Sequence, residues 1–292
     1  MTERLLSGGL LLDKPPGITS ARAVSWVKRL LPKKAKIGHT GTLDPLASGL
    51  LVLLIGRSTR LSHYVTGLDK TYTATARLGA VSDTLDAEGD ITRLDAPLPP
   101  ESAIREATPD FTGDILQIPP MASALKHEGK RLYDLHRGGI SVEREPRPVT
   151  VYRFELTGTD PTEKTATFDV SCSSGTYVRT LIADLANHLG TGAYLTSLRR
   201  TSVGHLDVHD ALSPQNLIPE ILHSHIIQPL EMVLHLPGVV VSGEGYEAVC
   251  HGRRIERCGI EGSYRVMCGE ELLAVYRDEG DEGRAEVVLC AG

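Results

Sequence analysis

The stretch from Leu50 to Ile55 most constrains the fold, because it is a run of apolar residues without a polar interruption. Its length and its bounding residues are typical of a buried strand. A glycine-rich loop, residues 37–49, leads directly into it and carries one carboxylate, Asp44, followed by Pro45. Proline pushes the backbone of the preceding residue toward an extended conformation. The sequence thus predicts a constrained loop that aims Asp44 into a cleft, or one in which Asp44 only caps a turn.

The rest of the chain reads as a mixture of strands and helices. With 292 residues it is long enough for one large domain and one small one. Residues 9–13, 71–78 and 165–172 have strand patterns, and short β-type runs alternate with glycine-rich turns after Pro237. We therefore predict a large domain over residues 1–235 and a small all-β module over residues 236–292.

Two helices follow strongly from their apolar stripes. One begins near Ser20, which we expect to be its cap, and ends before Pro32. The other follows Gly175 and carries Arg179 in its first turn. A cation there opposes the helix dipole, so we expect a carboxylate partner for Arg179, with a solvent-facing arginine as the alternative. A further helical stretch is predicted around residues 214–234.

Charge is distributed unevenly along a chain whose net charge is −6. Residues 14–43 contain seven basic residues and no acid, whereas residues 270–292 contain seven acids and two arginines. Residues 121–150, which we call the flap, are also basic and glycine-punctuated. Each basic segment fits either a solvated surface or a surface for a polyanion such as RNA.

Cysteines and acids give no metal signature. The five cysteines match no zinc or redox spacing, and we expect them to be reduced, small apolar residues. The acidic loop of residues 83–90 lacks the spacing of a calcium loop. No apolar run is long enough to span a bilayer, and the N-terminus lacks a signal-peptide pattern, so we expect a cytoplasmic protein.

Several separated stretches resemble one family, the TruB-type tRNA pseudouridine-55 synthases of bacteria. The resemblance covers roughly residues 8–205, and its motifs come in the order Asp13-Lys-Pro-Pro-Gly, Gly38-His-Thr-Gly-Thr-Leu-Asp-Pro-Leu-Ala-Ser-Gly49, Lys70-Thr-Tyr72, Asp83-Thr-Leu-Asp86-Ala-Glu-Gly89, Gln117-Ile-Pro-Pro-Met121 with Ser123-Ala-Leu-Lys126, Gly175-Thr-Tyr-Val-Arg179 and Leu198-Arg-Arg-Thr201. The tail after residue 237 resembles the small RNA-binding PUA module of such enzymes.

This resemblance implies an α+β fold, with a mixed and mainly antiparallel central sheet flanked by helices and a β-barrel-like PUA-type module appended. It also implies isomerisation of uridine 55 in the tRNA T-loop, without a metal or another cofactor, by base flipping, cleavage of the glycosidic bond, base rotation and rejoining through C5. The expected partner is the T-arm stem-loop of tRNA, bound by a monomer, and help with tRNA folding is a further implied role.

Residue by residue, the resemblance assigns catalysis to Asp44, Tyr72 and Arg179. Arg179 would lower the pKa of Asp44, and Asp86 would hold Arg179. Tyr72, which the strand pattern alone places in the core, would stack on the target base. The implied substrate-binding residues are His39, Lys14, Asp86, Tyr177, Leu198, Lys126, Lys130 and Arg131. For Lys14, either a phosphate contact or bracing of the Asp44 loop is expected.

Two other functions remain open at this stage. A non-catalytic tRNA-binding or tRNA-folding factor would use the same basic surfaces, but it would not need Asp44, Tyr72, Asp86 and Arg179 together. A metal-dependent phosphoesterase would use Asp44, Asp83, Asp86 and His39, but these residues lack a standard ligand spacing.

Overall fold

The computed structural model describes residues 6–123 and 125–290. Its α-helices, in chain order, are α1 Ser20–Lys28, α2 Ser62–Thr66, α3 Glu101–Ala107, α4 Leu132–Arg137, α5 Val178–His188, α6 Pro219–Ser224 and α7 Glu244–Cys250. Its strands are β1 Gly8–Lys14, β2 Ile37–His39, β3 Ser48–Ile55, β4 Lys70–Leu78, β5 Ala80–Ser82, β6 Ile91–Arg93, β7 Gly113–Gln117, β8 Lys126–His127, β9 Lys130–Arg131, β10 Arg147–Asp160, β11 Thr165–Cys172, β12 Ala193–Val203, β13 Leu206–Asp207, β14 Gly238–Val240, β15 Ile255–Glu256, β16 Ser263–Cys268, β17 Glu271–Glu279 and β18 Glu282–Val288.

A large mixed sheet forms the body of the molecule. Its strands run in the order β1-β3-β12-β4-β11-β10-β7, with β2 paired to β3 and β13 paired to β12. The pairing of β12 with β3 is parallel, and the other pairings in this sheet are antiparallel. Helix α5 packs on β12 through a buried stripe that includes Leu181 and Leu185. The predicted α+β fold with a mainly antiparallel sheet is confirmed.

Strand β3 is apolar from Leu50 to Ile55 because both of its faces are buried. Leu51, Leu53 and Ile55 belong to the core beneath the helices. Leu50, Val52 and Leu54 point the other way, into a second core that includes residues of β17 and β18. Alternate residues of a strand face opposite sides, so a strand covered on both sides needs an unbroken apolar run.

The C-terminal part forms its own sheet of five strands, in the order β14-β16-β17-β18-β15. Tyr264 and Tyr276 are fully buried in its core. The prediction of an all-β module was wrong in one respect, because helix α7 packs against β17. The expectation of reduced cysteines was also wrong for Cys250 and Cys290, which form a disulfide because the end of α7 lies beside the end of the described chain.

Two smaller differences concern helices. The predicted helical stretch at residues 214–234 contains one short α-helix, α6, between 3₁₀ turns, because Pro214, Pro219 and Pro229 each start a new turn. The cap of α1 is Thr19, whose side chain accepts a hydrogen bond from the Arg22 N–H, and not Ser20. Within residues 6–123 and 125–290, no helix is long and apolar enough to cross a membrane.

Candidate active site

The Asp44 loop, residues 40–49, connects β2 to β3 and is held from several sides. Ser20 lies on the buried side of α1, where its hydroxyl donates to the Leu43 carbonyl (2.9 Å) and accepts from the Leu43 N–H (2.8 Å). Gly49 has a φ of 97°. A Cβ at Gly49 would overlap the backbone of Arg200 in β12, so only glycine fits there. The loop therefore enters β3 with Asp44 in a fixed place.

Lys14 braces this loop from beneath. Its side chain is 0% exposed, and its ammonium donates to the carbonyls of Pro15 (3.0 Å), Ile18 (2.8 Å) and Pro45 (3.4 Å). Burial lowers the pKa of Lys14 to about 8. Of the two roles expected for Lys14, the structure places it for bracing, because a buried ammonium surrounded by carbonyls is not available to an RNA phosphate.

Arg179 joins the Asp44 loop to the acidic loop of residues 83–90. Its guanidinium lies 3.1 Å from the Asp44 carboxylate and 2.9 Å from the Asp86 carboxylate. It also donates to the carbonyls of Thr84 (2.8 Å) and Ala122 (2.7 Å), the latter in the flap. Arg179 is 5% exposed and Asp86 is 2% exposed. Arg179, at the start of α5, was expected to have one carboxylate partner and has two, Asp44 and Asp86.

The electrostatics of Asp44 differ from the expectation in direction. Burial raises the pKa of Asp44 above its usual value, and Arg179 is the largest influence that opposes this rise. Arg179 thus lowers the pKa of Asp44 as predicted, but the desolvation of the carboxyl group outweighs it.

A cavity of about 410 Å³ opens beside Asp44. Tyr72, from β4, and Leu198, from β12, form part of its lining, and Tyr177 and Arg179 contribute from the start of α5. The backbone of Tyr177 is fixed by Gln117, whose side chain accepts from its N–H (2.7 Å) and donates to its carbonyl (3.1 Å). The structure therefore brings together all three residues expected to be catalytic, at the wall of one cavity large enough for a nucleobase.

His39 lies apart from this group. It ends strand β2 opposite Leu53 of β3, and it is not part of the cavity lining. Its Nδ1 atom is buried without a hydrogen-bond partner among the described residues. Burial, together with the nearby Arg200, lowers the pKa of His39, so its ring is uncharged at neutral pH.

The flap forms a β8–β9 hairpin followed by helix α4. Lys130 and Arg131 lie in β9 and are exposed, whereas the side chain of Lys126 lies outside the described part of the structure. A small core of Met121, Leu132 and Leu135 holds the segment together. Lys130 and Arg131 are therefore presented to solvent and not to the cavity.

Sequence reasoning missed three residues that shape the site: Ser20, Lys70 and Arg200. Lys70 is 7% exposed, donates to the carbonyls of Thr66 and Leu68, and lines the cavity. Arg200 is 2% exposed and lines the same cavity. The signal for Arg200 is the period of two in a strand, which puts it on the same face as Leu198 and places Arg199 on the other face.

Comparisons with known proteins identify the family of this chain. Residues 28–178 match the sequence profile of the TruB family pseudouridylate synthase N-terminal domain, and residues 179–235 match that of the tRNA pseudouridylate synthase B C-terminal domain. The tRNA pseudouridine synthase B of Azoarcus sp. is 41% identical over 276 residues, which are 93% of this chain and 91% of that protein. The tRNA pseudouridine synthase B of Burkholderia lata is 46% identical over 284 residues, which are 94% of this chain and 87% of that protein.

Solved structures show the same fold. A chain from the crystal structure of a Cbf5-Nop10-Gar1 complex superposes with a TM-score of 0.74 at 27% identity, over 97% of this chain and 84% of that one. A chain from the structure of an H/ACA RNP bound to a substrate RNA containing 2'-deoxyuridine gives the same TM-score at 25% identity, over 97% and 85% of the two chains. With the profiles covering residues 28–235, these likenesses establish that the chain belongs to the TruB family of pseudouridine synthases.

Proposed function

We propose that this protein converts uridine 55 in the T-loop of tRNA to pseudouridine, and that it does so in the cytoplasm as a monomer. The observation that carries the proposal is the ion pair between Asp44 and Arg179 at the wall of a cavity that also presents Tyr72. Isomerisation of a uridine needs one carboxylate near C1′ and a pocket for a base taken out of its stack, and it needs no outside reactant.

In this reaction the ionised Asp44 acts on the ribose. Attack on C1′ and removal of a ribose proton both require the carboxylate form, and both break the N1–C1′ bond. Arg179 supports that form by its positive charge and fixes the carboxylate in place, while Asp86, which is not part of the cavity lining, holds Arg179. The base then turns and rejoins through C5, and the C5 proton is lost.

The cavity walls would guide the base. Tyr72 and Leu198 offer a ring and an apolar side chain on which an extruded uracil can stack, and Tyr177 closes the side formed by the start of α5. His39 would contact the displaced T-loop from outside the cavity. Lys126, Lys130 and Arg131 of the flap would bind phosphates of the T-arm stem, which makes binding salt-dependent.

We further propose that residues 1–235 form the catalytic domain and residues 236–292 a PUA-like RNA-binding domain. Support comes from the separate five-stranded sheet that begins at β14. Photocrosslinking of full-length tRNA to the full chain tests this assignment. Crosslinks between residues 236–292 and the acceptor end are expected, and crosslinks confined to residues 1–235 would contradict it.

The experiment that tests the function uses a T-arm transcript carrying uridine tritiated at C5, with EDTA present. Each conversion releases one tritium to water, so the wild-type protein should release tritium from the target uridine. A matched transcript with cytidine at position 55 and labelled uridines elsewhere should release none. Binding of the RNA without release would instead favour a non-catalytic tRNA-binding factor, and release that depends on added metal would contradict the proposed chemistry.

A further inference from the structure

Arg200 is a buried arginine at the wall of the cavity. Its charge has no role in the reaction steps described above. It lies in β12, opposite Tyr72 of β4 and opposite Gly49 of β3. The β12–β4 pairing changes register directly after it, between Arg200 and Ser202. Irregularities of this kind re-aim a side chain, here toward the cavity that holds Asp44 and Tyr72.

The partners of Arg200 differ in kind from those of Arg179. Arg179 is neutralised by two carboxylates. Arg200 donates instead to two backbone carbonyls, from Nε to Leu50 (2.7 Å) and from Nη2 to Gly41 (3.1 Å). Within residues 6–123 and 125–290 it forms no ion pair with a carboxylate. The neighbouring Arg199, on the opposite face of β12, does form one, with Asp13 at 2.8 Å.

A buried cation without a counter-charge is costly, because desolvation of an ion still costs several kcal/mol after the protein has relaxed around it. Chains retain such features where function uses them. The two carbonyl hydrogen bonds keep this guanidinium in one place, tied to the first residues of the Asp44 loop and to the start of β3. The cavity wall therefore carries a fixed positive charge that can stabilise an anion inside the cavity.

The proposed reaction generates an anion at this place. When the N1–C1′ bond breaks, the electron pair stays on N1, and the base becomes a uracil anion with its charge spread over N1, O2 and O4. This holds whether Asp44 attacks C1′ or removes a ribose proton. The charge disappears when C5 bonds to C1′, C5 loses its proton and N1 gains one.

We propose that Arg200 stabilises the negative charge that develops on the departing base. The inference rests on the proposed function and adds to it a residue that acts on the base, whereas Asp44 acts on the ribose. A preorganised charge in a water-poor site lowers the energy of a transition state in which opposite charge develops. The field of Arg200 already reaches the cavity residues: burial raises the pKa of the Tyr72 phenol, and Arg200 is the largest influence opposing that rise.

The test compares Arg200→Met with the matched control Arg199→Met, in single-turnover reactions on T-arm RNA that carries either uridine or 5-fluorouridine at the target position. The consumption of the parent nucleoside is measured after nuclease digestion. Fluorine withdraws electrons, so 5-fluorouracil is a better leaving group and depends less on outside stabilisation. The expected loss with uridine is about 10²-fold in rate, the size seen when one preorganised donor to a developing anion is removed.

With 5-fluorouridine the loss caused by Arg200→Met should be much smaller, RNA affinity should be unchanged, and Arg199→Met should behave as wild type on both RNAs. Arg200→Lys keeps the charge and should preserve the wild-type ratio between the two substrates even if its rates fall. Arg200→Gln, which removes the charge but keeps hydrogen-bond donors, is the test variant if Arg200→Met does not fold. Equal losses on both RNAs in the variant that lacks the charge would assign Arg200 a purely structural role and overturn the inference. Failure of the wild type on both RNAs would instead refute the proposed function.

Discussion

The Asp44 loop and the flap both border the site, but opposite kinds of interaction hold them. The loop is fixed by buried polar contacts from three elements, made by Ser20 in α1, Lys14 in β1 and Arg200 in β12. The flap depends on a small apolar core and presents Lys130 and Arg131 to solvent. The two regions are therefore suited to different roles. The chemistry requires one carboxylate in a fixed position, which the Asp44 loop provides, whereas contact with RNA phosphates requires exposed cations, which the flap provides.

The largest effect that would test this division is expected for Arg179→Met. Without the guanidinium, Asp44 loses its cation and its anchor, so the single-turnover rate should fall by about 10²–10³, while RNA affinity stays near that of wild type. Rates and dissociation constants are measured on the same T-arm RNA. An equal loss of affinity and rate would reduce Arg179 to a phosphate contact.

A control for folding is needed, because Arg179→Met is expected to destabilise the protein. Removing one partner of a buried ion pair costs roughly 3–5 kcal/mol, here because Asp86 would remain buried without its cation. The double variant Arg179→Met/Asp86→Leu removes both charges and should recover stability, as followed by thermal unfolding, without recovering activity.

A smaller effect is expected for Ser20→Ala, which deletes both hydrogen bonds to Leu43 but touches no reacting group. A displacement of about 1 Å in a reacting group can cost up to 10²-fold in rate, so a loss below that limit is expected in kcat, with KM little changed. Ser25→Ala is the matched control, because Ser25 lies in the same helix and its hydroxyl donates to the Arg22 carbonyl at the surface, away from the Asp44 loop. A KM effect as large as the kcat effect would show that the loop contributes to RNA binding as well.

The pH dependence of the rate should report the environment of Asp44. Its pKa is raised by burial, so activity should fall on acidification at a pH above the usual aspartate value of 3.8. Asp86 raises the pKa of Asp44 further by its negative charge. In Asp86→Asn the acid limb of the kcat profile should therefore move to lower pH. The opposite shift would mean that Asp44 is not the group that titrates.

The ionisation of Asp44 affects folding stability and activity in opposite directions as the pH changes. Because the folded-state pKa of Asp44 lies above its unfolded value, the folded protein binds this proton more tightly. The contribution of Asp44 to stability is present below the unfolded pKa and is lost as the pH rises through the folded pKa.

The smallest effect on rate is expected in the flap. The double variant Lys130→Ala/Arg131→Ala should weaken RNA binding and lower the slope of log affinity against log salt by about 1–2, since each phosphate contact contributes about 0.9. The single-turnover rate at saturating enzyme should stay unchanged. Lys164→Ala, at an exposed turn between β10 and β11, is the control for a general loss of charge. A large fall in the saturated rate would show that the flap also shapes the site.

The sequence predicted those parts of the structure that local pattern decides. Three features can be recognised from the local sequence alone: the apolar run of β3, the alternation of β4 and the electrostatically unfavourable position of Arg179 at the start of α5. Ser20 could not be placed in the same way, because its role depends on a loop that it meets only in the folded chain. For Arg200 the strand period gives the face, but its carbonyl partners at Gly41 and Leu50 are set by the fold. The disulfide and helix α7 were missed because short segments with mixed patterns take their structure from the sheet against which they pack.

The proposed reaction depends on the Asp44 carboxylate, and Asp44→Asn removes the charge of this group alone. Asparagine keeps the size of the side chain and can still meet Arg179, so the fold and the binding of T-arm RNA should be retained. The measurement is tritium release from the C5-labelled target uridine at saturating enzyme, alongside the dissociation constant of the same RNA. We expect no release with affinity near that of wild type; release at the wild-type rate would show that the reaction does not use the Asp44 carboxylate.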